Sequence, residues 1–561
     1  MSHNFVPLAE RITDALLESD PVLAYHAGDH RADNLLPDWS AEGVRSQAAM
    51  LHEAADALAE VDLDDLDGEE EVDHALLARL VDRRLFELQD VRAYEWNPLL
   101  HNPGPLLDGL LTRPFAPLAE RLESLIARLE RVPDALHVAT QVLHDCPQIH
   151  LETALGQYAG VAELIRDQAL SAAESAGLGD EIRPAADRAL AGLADFDDWL
   201  RGRLSSASAG RSPRLGRRLW EAQLWHTLDT EMSASQLLDR AWTNLDLVSG
   251  QIRLAAAELL GGVVGGSTAD LSGDPTALPG DPTVRAALDQ LSADRPDDAS
   301  IVAKARAALI ETTEFVADHD LVSLVDDECQ ILVMPEFARG ISVAYCDAPG
   351  PLEPANVPTS FAIAPTPASW SPERRESFYR EYNNHMVRNL TVHEAMPGHF
   401  LQLTHSRRGR GSSRVRALCT SGSFVEGWAV YAEQLMAEAG YGGPPVRLQQ
   451  LKMQLRSTIN AILDQLVHCE DMTEADGMRL MTERGFQEAG EAAGKWRRAL
   501  LTSGQLSTYF VGYSEMAEIG RQRPVEWGVR EWHDAMLSHG SPAPRHLRTL
   551  LRGDEVDRIV G

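Results

Sequence analysis

The chain has 561 residues, 44% hydrophobic and 24% charged, with a formal net charge of −34. That length can hold several folding units at roughly 150 residues each, and the composition reads as soluble and globular. The acidity repels phosphate backbones and argues against a nucleic-acid partner, and the absence of any run of about 18 apolar residues argues against a membrane-spanning helix.

The N-terminus, Met1 to Pro7, has neither a basic nor an apolar signal region. Cys146, Cys329, Cys346, Cys419 and Cys469 are odd in number and scattered, without C-x-x-C spacing. They read as reduced thiols, and the expected location is cytoplasmic.

Residues 1–260 read as an N-terminal helical portion. Leu77, Val81, Leu85 and Leu88 fall on one helix face, with Asp73 as the expected cap. Leu118–Leu129 and Val138–Leu170 continue the pattern, the second with a break expected near Pro147. The acidic run 62–71 lacks the alternate-position ligands of a calcium loop and is expected as a solvated connection. Trp220, Trp225 and Trp242 are expected to pack in the core and in grooves.

Residues 261–300 are rich in Gly, Pro and Asp and predict a surface excursion. The portion 301–561 resumes with a helix over 301–317. Three short β-branched or aromatic stretches then follow, Gln330–Val333, Ile341–Tyr345 and Ser360–Ala364. They predict one small sheet at about 329–364. Such a strand beside a metal can hold a peptide backbone by β-augmentation; the alternative is a hairpin that merely closes the helical core.

Ser371-Pro372-Glu373 is a helix start, with a capping serine, Pro at the first position and an acid in the first turn. The helix is expected to reach Met396. Its end carries His393-Glu394-Ala395-Met396-Pro397-Gly398-His399. His-Glu opens the zinc-peptidase motif H-E-x-x-H, in which two imidazoles one turn apart bind zinc and the glutamate acts on a metal-activated water. Here the second histidine comes at i+6, about 120° away from the first on an ideal helix. Pro397 removes an N–H and clashes with the preceding turn, and Gly398 tolerates a distorted one. The expectation is a bulge that returns His399 to the side of His393. His385 and His405 are reserve ligands.

Downstream, Arg407, Arg408, Arg410, Arg414 and Arg416 crowd one loop. Of these, Arg407, Arg408 and Arg410 are candidate clamps for a substrate carboxylate, because guanidinium matches it as a fork. The alternative is a loop salt-bridged to the acidic surface. Glu426 completes a His₂Glu ligand set with His393 and His399. Glu433, seven residues on and on the same face, is a candidate to hold an imidazole N–H. Tyr509 and, second, Tyr513 are candidates to donate to an oxyanion.

Three stretches carry a family resemblance: HEAMPGHFLQ at 393–402, EGWAVYAE at 426–433 and GQLSTYFVG at 504–512. Together, in this order, they resemble the bacterial DUF885 family, a distant relative of HExxH zinc peptidases with a neurolysin-like or carboxypeptidase Taq-like body. Phe400 and Ser503 depart from the family's usual His and Pro, and neither is a proposed ligand. The resemblance implies a mainly α, zincin-like fold: two helical portions around a deep cleft, the small sheet near the metal, and metal-binding helices at about 371–440. It also implies one Zn²⁺ per chain, with Glu394 as general base in hydrolysis of short peptides. The alternatives are a catalytically inactive helical binding protein, or a zinc hydrolase acting on a non-peptide amide or ester.

Overall fold

The computed structural model describes residues 5–206, 210–261, 280–334, 339, 343–354, 357–409 and 414–560, with side chains to residue 553. Helix accounts for 72% of the protein, about twice the ordinary share, so the mainly α expectation holds. The chain forms two compact units. One comprises Met1–Pro213 with the segments Pro349–Val357 and Gly411–Cys419; the other comprises Arg214–Ala348, Pro358–Arg410 and Thr420–Gly561.

In the first unit, helix Leu118–Val142 packs on helix Gly179–Ser205. Leu122, Leu125, Leu129 and Val132 recur every three or four residues and are fully buried, which is the stripe an amphipathic helix turns toward a core. The expected cap at Asp73 is corrected. Helix Gly68–Phe86 begins earlier, at a capping box in which Asp67 accepts from Glu69 and Glu70. Asp73 is instead a fully buried acceptor for Arg416 Nε at 2.7 Å. The predicted break near Pro147 is present, between helices Leu118–Val142 and Gln148–Glu163.

The second unit holds the sheet. β1 (Cys329–Val333), β2 (Ala344–Asp347) and β3 (Thr359–Ile363) stand in the order β1-β3-β2. β1 runs parallel to β3, and β2 antiparallel with Cys346 opposite Phe361. The middle predicted strand is shifted: its first two residues, 341 and 342, lie outside the described residues. Much of the 261–300 stretch (262–279) lies outside them too.

The single helix expected from Ser371 is two, Pro372–Glu381 and Asn384–Glu394. Asn383 starts the second, its side chain accepting from the N–H groups of His385 and Met386, a local bond that competes with helix continuation. Around helix Asn384–Glu394 pack Gly422–Glu438 and Gly443–Cys469. These in turn contact Ser507–Arg521.

Candidate metal centre

The expected bulge is corrected to a clean break. Helix Asn384–Glu394 stops, and a new helix, His399–Arg407, begins at the second histidine. Two features make the turn. The Met396–Pro397 peptide is cis. Gly398 donates to Val392 O at 2.9 Å and passes so close that a Cβ there would lie 1.9 Å from His393 O. No side chain fits under that carbonyl. Trp428, fully buried, pins the turn from the next helix by donating its indole N–H to Pro397 O at 2.8 Å. The imidazoles thus arrive side by side, ring centres 4.7 Å apart and nearly perpendicular.

Glu426 comes in on helix Gly422–Glu438. Its Oε2 lies 3.4 Å from His393 Nε2 and 3.6 Å from His399 Nε2. Both separations are too long for good hydrogen bonds, and Oε2 is a buried oxygen without a hydrogen-bond partner among the described residues. They do match the edges of a tetrahedron: bonds of roughly 2.0–2.2 Å from zinc to N and O put neighbouring ligand atoms roughly 3.4 Å apart. The three ligand atoms lie within 4.8 Å of one another. The donor set therefore fits a divalent cation with three protein ligands. The Glu426 side chain keeps 23% of its exposure, although its Oε2 is buried.

The back of His393 is fixed as a metal ligand requires. Its Nδ1 meets Glu433 Oε1 at 2.7 Å, and the other Glu433 oxygen accepts from Asn389 at 2.6 Å. Burial alone would lower the His393 pKa, but Glu426 and Glu433 on its two nitrogens hold it well above the ordinary value. Carboxylates that favour an imidazolium there favour any cation at the same point. Burial likewise works against the Glu426 carboxylate, and the two histidines override it and hold its pKa low.

Glu394 is buried beside these ligands. Burial raises its pKa, while His393 and His399 oppose the rise; the backbone of Cys346 in β2 lies against its carboxylate. The Tyr509 hydroxyl accepts from Arg498 Nη2 at 3.2 Å, which leaves its own proton free to donate. Burial and then the Glu426 charge raise the Tyr509 pKa, keeping the phenol protonated. Tyr513 is turned to other work: its hydroxyl donates to Gln434 at 2.6 Å and accepts from Gln454 at 2.5 Å.

The helices carrying Glu426 and Tyr509 touch through glycines. A Cβ on Gly427 would lie 2.5 Å from the Gly512 carbonyl carbon, and one on Gly512 would lie 2.0 Å from Ser423 O. That contact fixes Tyr509 relative to Glu426. Three arginines of the loop pair with acids outside the ligand set. Arg408 pairs with Asp327. Arg414 pairs with Glu10 at 2.5 Å and Asp14 at 2.8 Å. Arg416 pairs with Asp73 and Glu69. Arg407 has an interaction of its own, and Arg410 lies outside the described residues. His385 faces Asp294 at 3.5 Å, and His405 bonds Ser323 O at 2.8 Å. Sequence reasoning missed Asn389, Trp428, Lys495 and Arg498. Asn389 had a signal, one turn before His393 on the same helix.

Fold and site define a mainly helical protein with a two-histidine, one-glutamate group that could hold a cation, in the unit that carries the three-stranded sheet. The chain belongs to the family described as bacterial protein of unknown function (DUF885), whose pattern spans residues 21–551. A "putative lipoprotein of unknown function" from Shewanella oneidensis is similar over 98% of this chain and 100% of its own, with 28% identity and a TM-score of 0.80. A "putative lipoprotein" from Colwellia psychrerythraea shares the fold, with 16% identity over 97% and 99% of the two chains and a TM-score of 0.73. The M32 carboxypeptidase of Deinococcus radiodurans aligns at a TM-score of 0.42 with 10% identity over 96% and 95% of the chains, too distant for any conclusion. No curated protein matches the chain. Among the described residues no helix is long and apolar enough to cross a membrane.

Proposed function

We propose that this protein is a zinc-dependent hydrolase of short peptides. The observation that carries the reading is the orphaned Glu426 Oε2 set 3.4 and 3.6 Å from two histidine nitrogens, with a buried glutamate next to them in sequence. When bound, the ion supplies Lewis-acid polarisation of the scissile carbonyl and acidifies water. Glu394 takes the proton of the attacking water at its carboxylate and passes it to the leaving amine. Its raised pKa makes the carboxylate a stronger base for the first half of that relay. Tyr509 donates its hydroxyl to the developing oxyanion, a role supported by the proton that its bond from Arg498 leaves free. The Cys346 backbone on edge strand β2, against Glu394, supports alignment of an extended substrate along that strand.

A cytoplasmic location is part of this proposal, supported by five cysteines that are all free thiols. Recovery of the protein with membranes on fractionation would overturn it. The hydrolase reading is tested with a mixture of unstructured peptides of three to ten residues. Hydrolysis that stops with a chelator and returns with added zinc is the expected result. Hydrolysis insensitive to chelation, or none after zinc loading, contradicts it.

A further inference from the structure

Helix Ala489–Leu501 carries two cations, Lys495 and Arg498, that form no close ion pair among the described residues. Lys495 is 8% exposed, yet among the described residues it makes no hydrogen bond or ion pair. Lysine is almost never so buried without a partner. Arg498, one turn on and on the same face, donates from Nη2 to two neutral oxygens only, Gln505 Oε1 at 2.8 Å and Tyr509 OH at 3.2 Å. In a chain of net charge −34, this is unusual. Elsewhere in the same unit Arg388 faces Glu311 at 3.0 Å and Arg456 faces Glu491 at 2.5 Å. Glu491, one turn before Lys495, acts on it at longer range but gives its close ion pair to Arg456, so one acid serves two cations.

The place is as telling as the lack of a partner. Glu426 is among the charges that act on both Lys495 and Tyr509. The Gly427–Gly512 contact holds the Tyr509 helix against the Glu426 helix, and Arg498 touches the Tyr509 hydroxyl. Two cations without a close ion pair thus stand on the Tyr509 side of the ligand set.

We propose that Lys495 and Arg498 form a carboxylate-binding subsite, so that the preferred substrates carry a free carboxylate close to the bond that is cut. This rests on the hydrolase reading and adds the substrate class to it. A carboxylate arriving there supplies the close ion pair that Glu491 gives to Arg456, and the burial of Lys495 strengthens that pair. Burial, then Arg456 and Arg498, hold the Lys495 pKa down to about 7, so an arriving anion also draws the lysine into its charged form. The subsite replaces the Arg407, Arg408 and Arg410 loop as the reader of a C-terminal carboxylate.

The test separates binding from turnover. The probes are N-acetyl-trialanine with a free carboxylate and the same peptide as its C-terminal amide. Each is titrated by calorimetry into zinc-loaded full-length Glu394→Gln protein. The acid is expected to bind at least about tenfold tighter than the amide, since one hydrogen-bonded charge pair is worth roughly that factor. Adding Lys495→Met to that background should remove the preference with zinc content and Tm unchanged. Lys495→Arg, which keeps the charge, should retain most of it. Equal binding of acid and amide, no binding of either, or a preference that survives Lys495→Met overturns the subsite. Hydrolysis is scored separately in the wild type. Acid and amide cut equally well would leave the hydrolase and sink the subsite. No hydrolysis, alongside a Lys495-dependent preference in binding, would do the reverse.

Discussion

Two buried charged clusters lie in the same unit and have opposite character. In the first, Glu381 accepts from Lys452 at 2.9 Å and from the Glu488 N–H at 3.2 Å, with Arg456 at 3.5 Å. Arg456 also pairs with Glu491 at 2.5 Å. The Lys452, Arg456 and Glu381 side chains are at most 8% exposed, and every charge has an opposite charge against it. In the second, His393, His399 and Glu426 converge at distances that are poor hydrogen bonds, leaving Glu426 Oε2 buried and without a hydrogen-bond partner among the described residues. The first cluster is complete without help; the second makes sense only with something at its middle. Satisfied buried polar groups hold a fold together, whereas convergent unsatisfied ones mark where a fold expects a ligand.

The comparison predicts distinct outcomes when each cluster is broken, beginning with the largest. Glu394→Gln should lower turnover of a peptide that the wild type cleaves by about 10² or more while zinc content and Tm stay put. An active Glu394→Gln enzyme with bound zinc would remove Glu394 from its role. Glu381→Ala strips the counter-charge from Lys452 and should destabilise the protein by about 3 kcal/mol in urea unfolding, as loss of one partner from a buried pair does. Zinc stoichiometry at saturation should not change. If Glu381→Ala is neutral in stability, the closed cluster contributes far less than its geometry implies.

Glu433→Gln keeps a hydrogen-bonding side chain behind His393 but removes its charge. A competition titration against a chromophoric chelator should show zinc affinity lower by roughly tenfold, the low end for losing such a partner. Unchanged affinity would mean that Glu433 only orients the ring. The smallest effect belongs to a half-buried cluster in the other unit. His30 bonds Asp33 and Glu353, each at 2.9 Å. Burial lowers its pKa, but the two carboxylates outweigh that and raise it to about 9. A raised folded-state pKa stabilises fully below the unfolded value near ~6.5 and is lost as pH climbs through about 9. A modest fall in Tm over that window, absent in His30→Gln, is expected. The same fall in both proteins would assign it to other groups.

Much of the centre was legible because its chemistry is compressed into short motifs. His393, Glu394 and His399 sit in seven residues, and Glu426 stands at the head of a recognisable helix. Even the glycines of the second and third motifs, Gly427 and Gly512, prove to be one contact. The helix break was read only in part. Pro397 and Gly398 signal a disruption, but whether it is a bulge or a new helix depends on Gly398 lying under the His393 carbonyl, a tertiary fact. Asp73 was misread as a cap because its partner, Arg416, lies 343 residues away and leaves no local trace. Lys495 looks like any solvated lysine of an amphipathic helix; that it shares Glu491 with Arg456, which holds the close ion pair, becomes visible only in the fold. Arginine clustering in 407–416 carries no such information either: that Arg408, Arg414 and Arg416 pair with Asp327, Glu10 and Asp73 is not written in their crowding along the chain.

The most direct measurement is elemental analysis of the full-length protein, purified without chelator or histidine tag, beside its His399→Ala variant. About one zinc per wild-type chain, with most of it lost from a variant that keeps its helical circular dichroism, is the expected result. No zinc in the wild type after supplementation, or full zinc in His399→Ala, would contradict the metal centre.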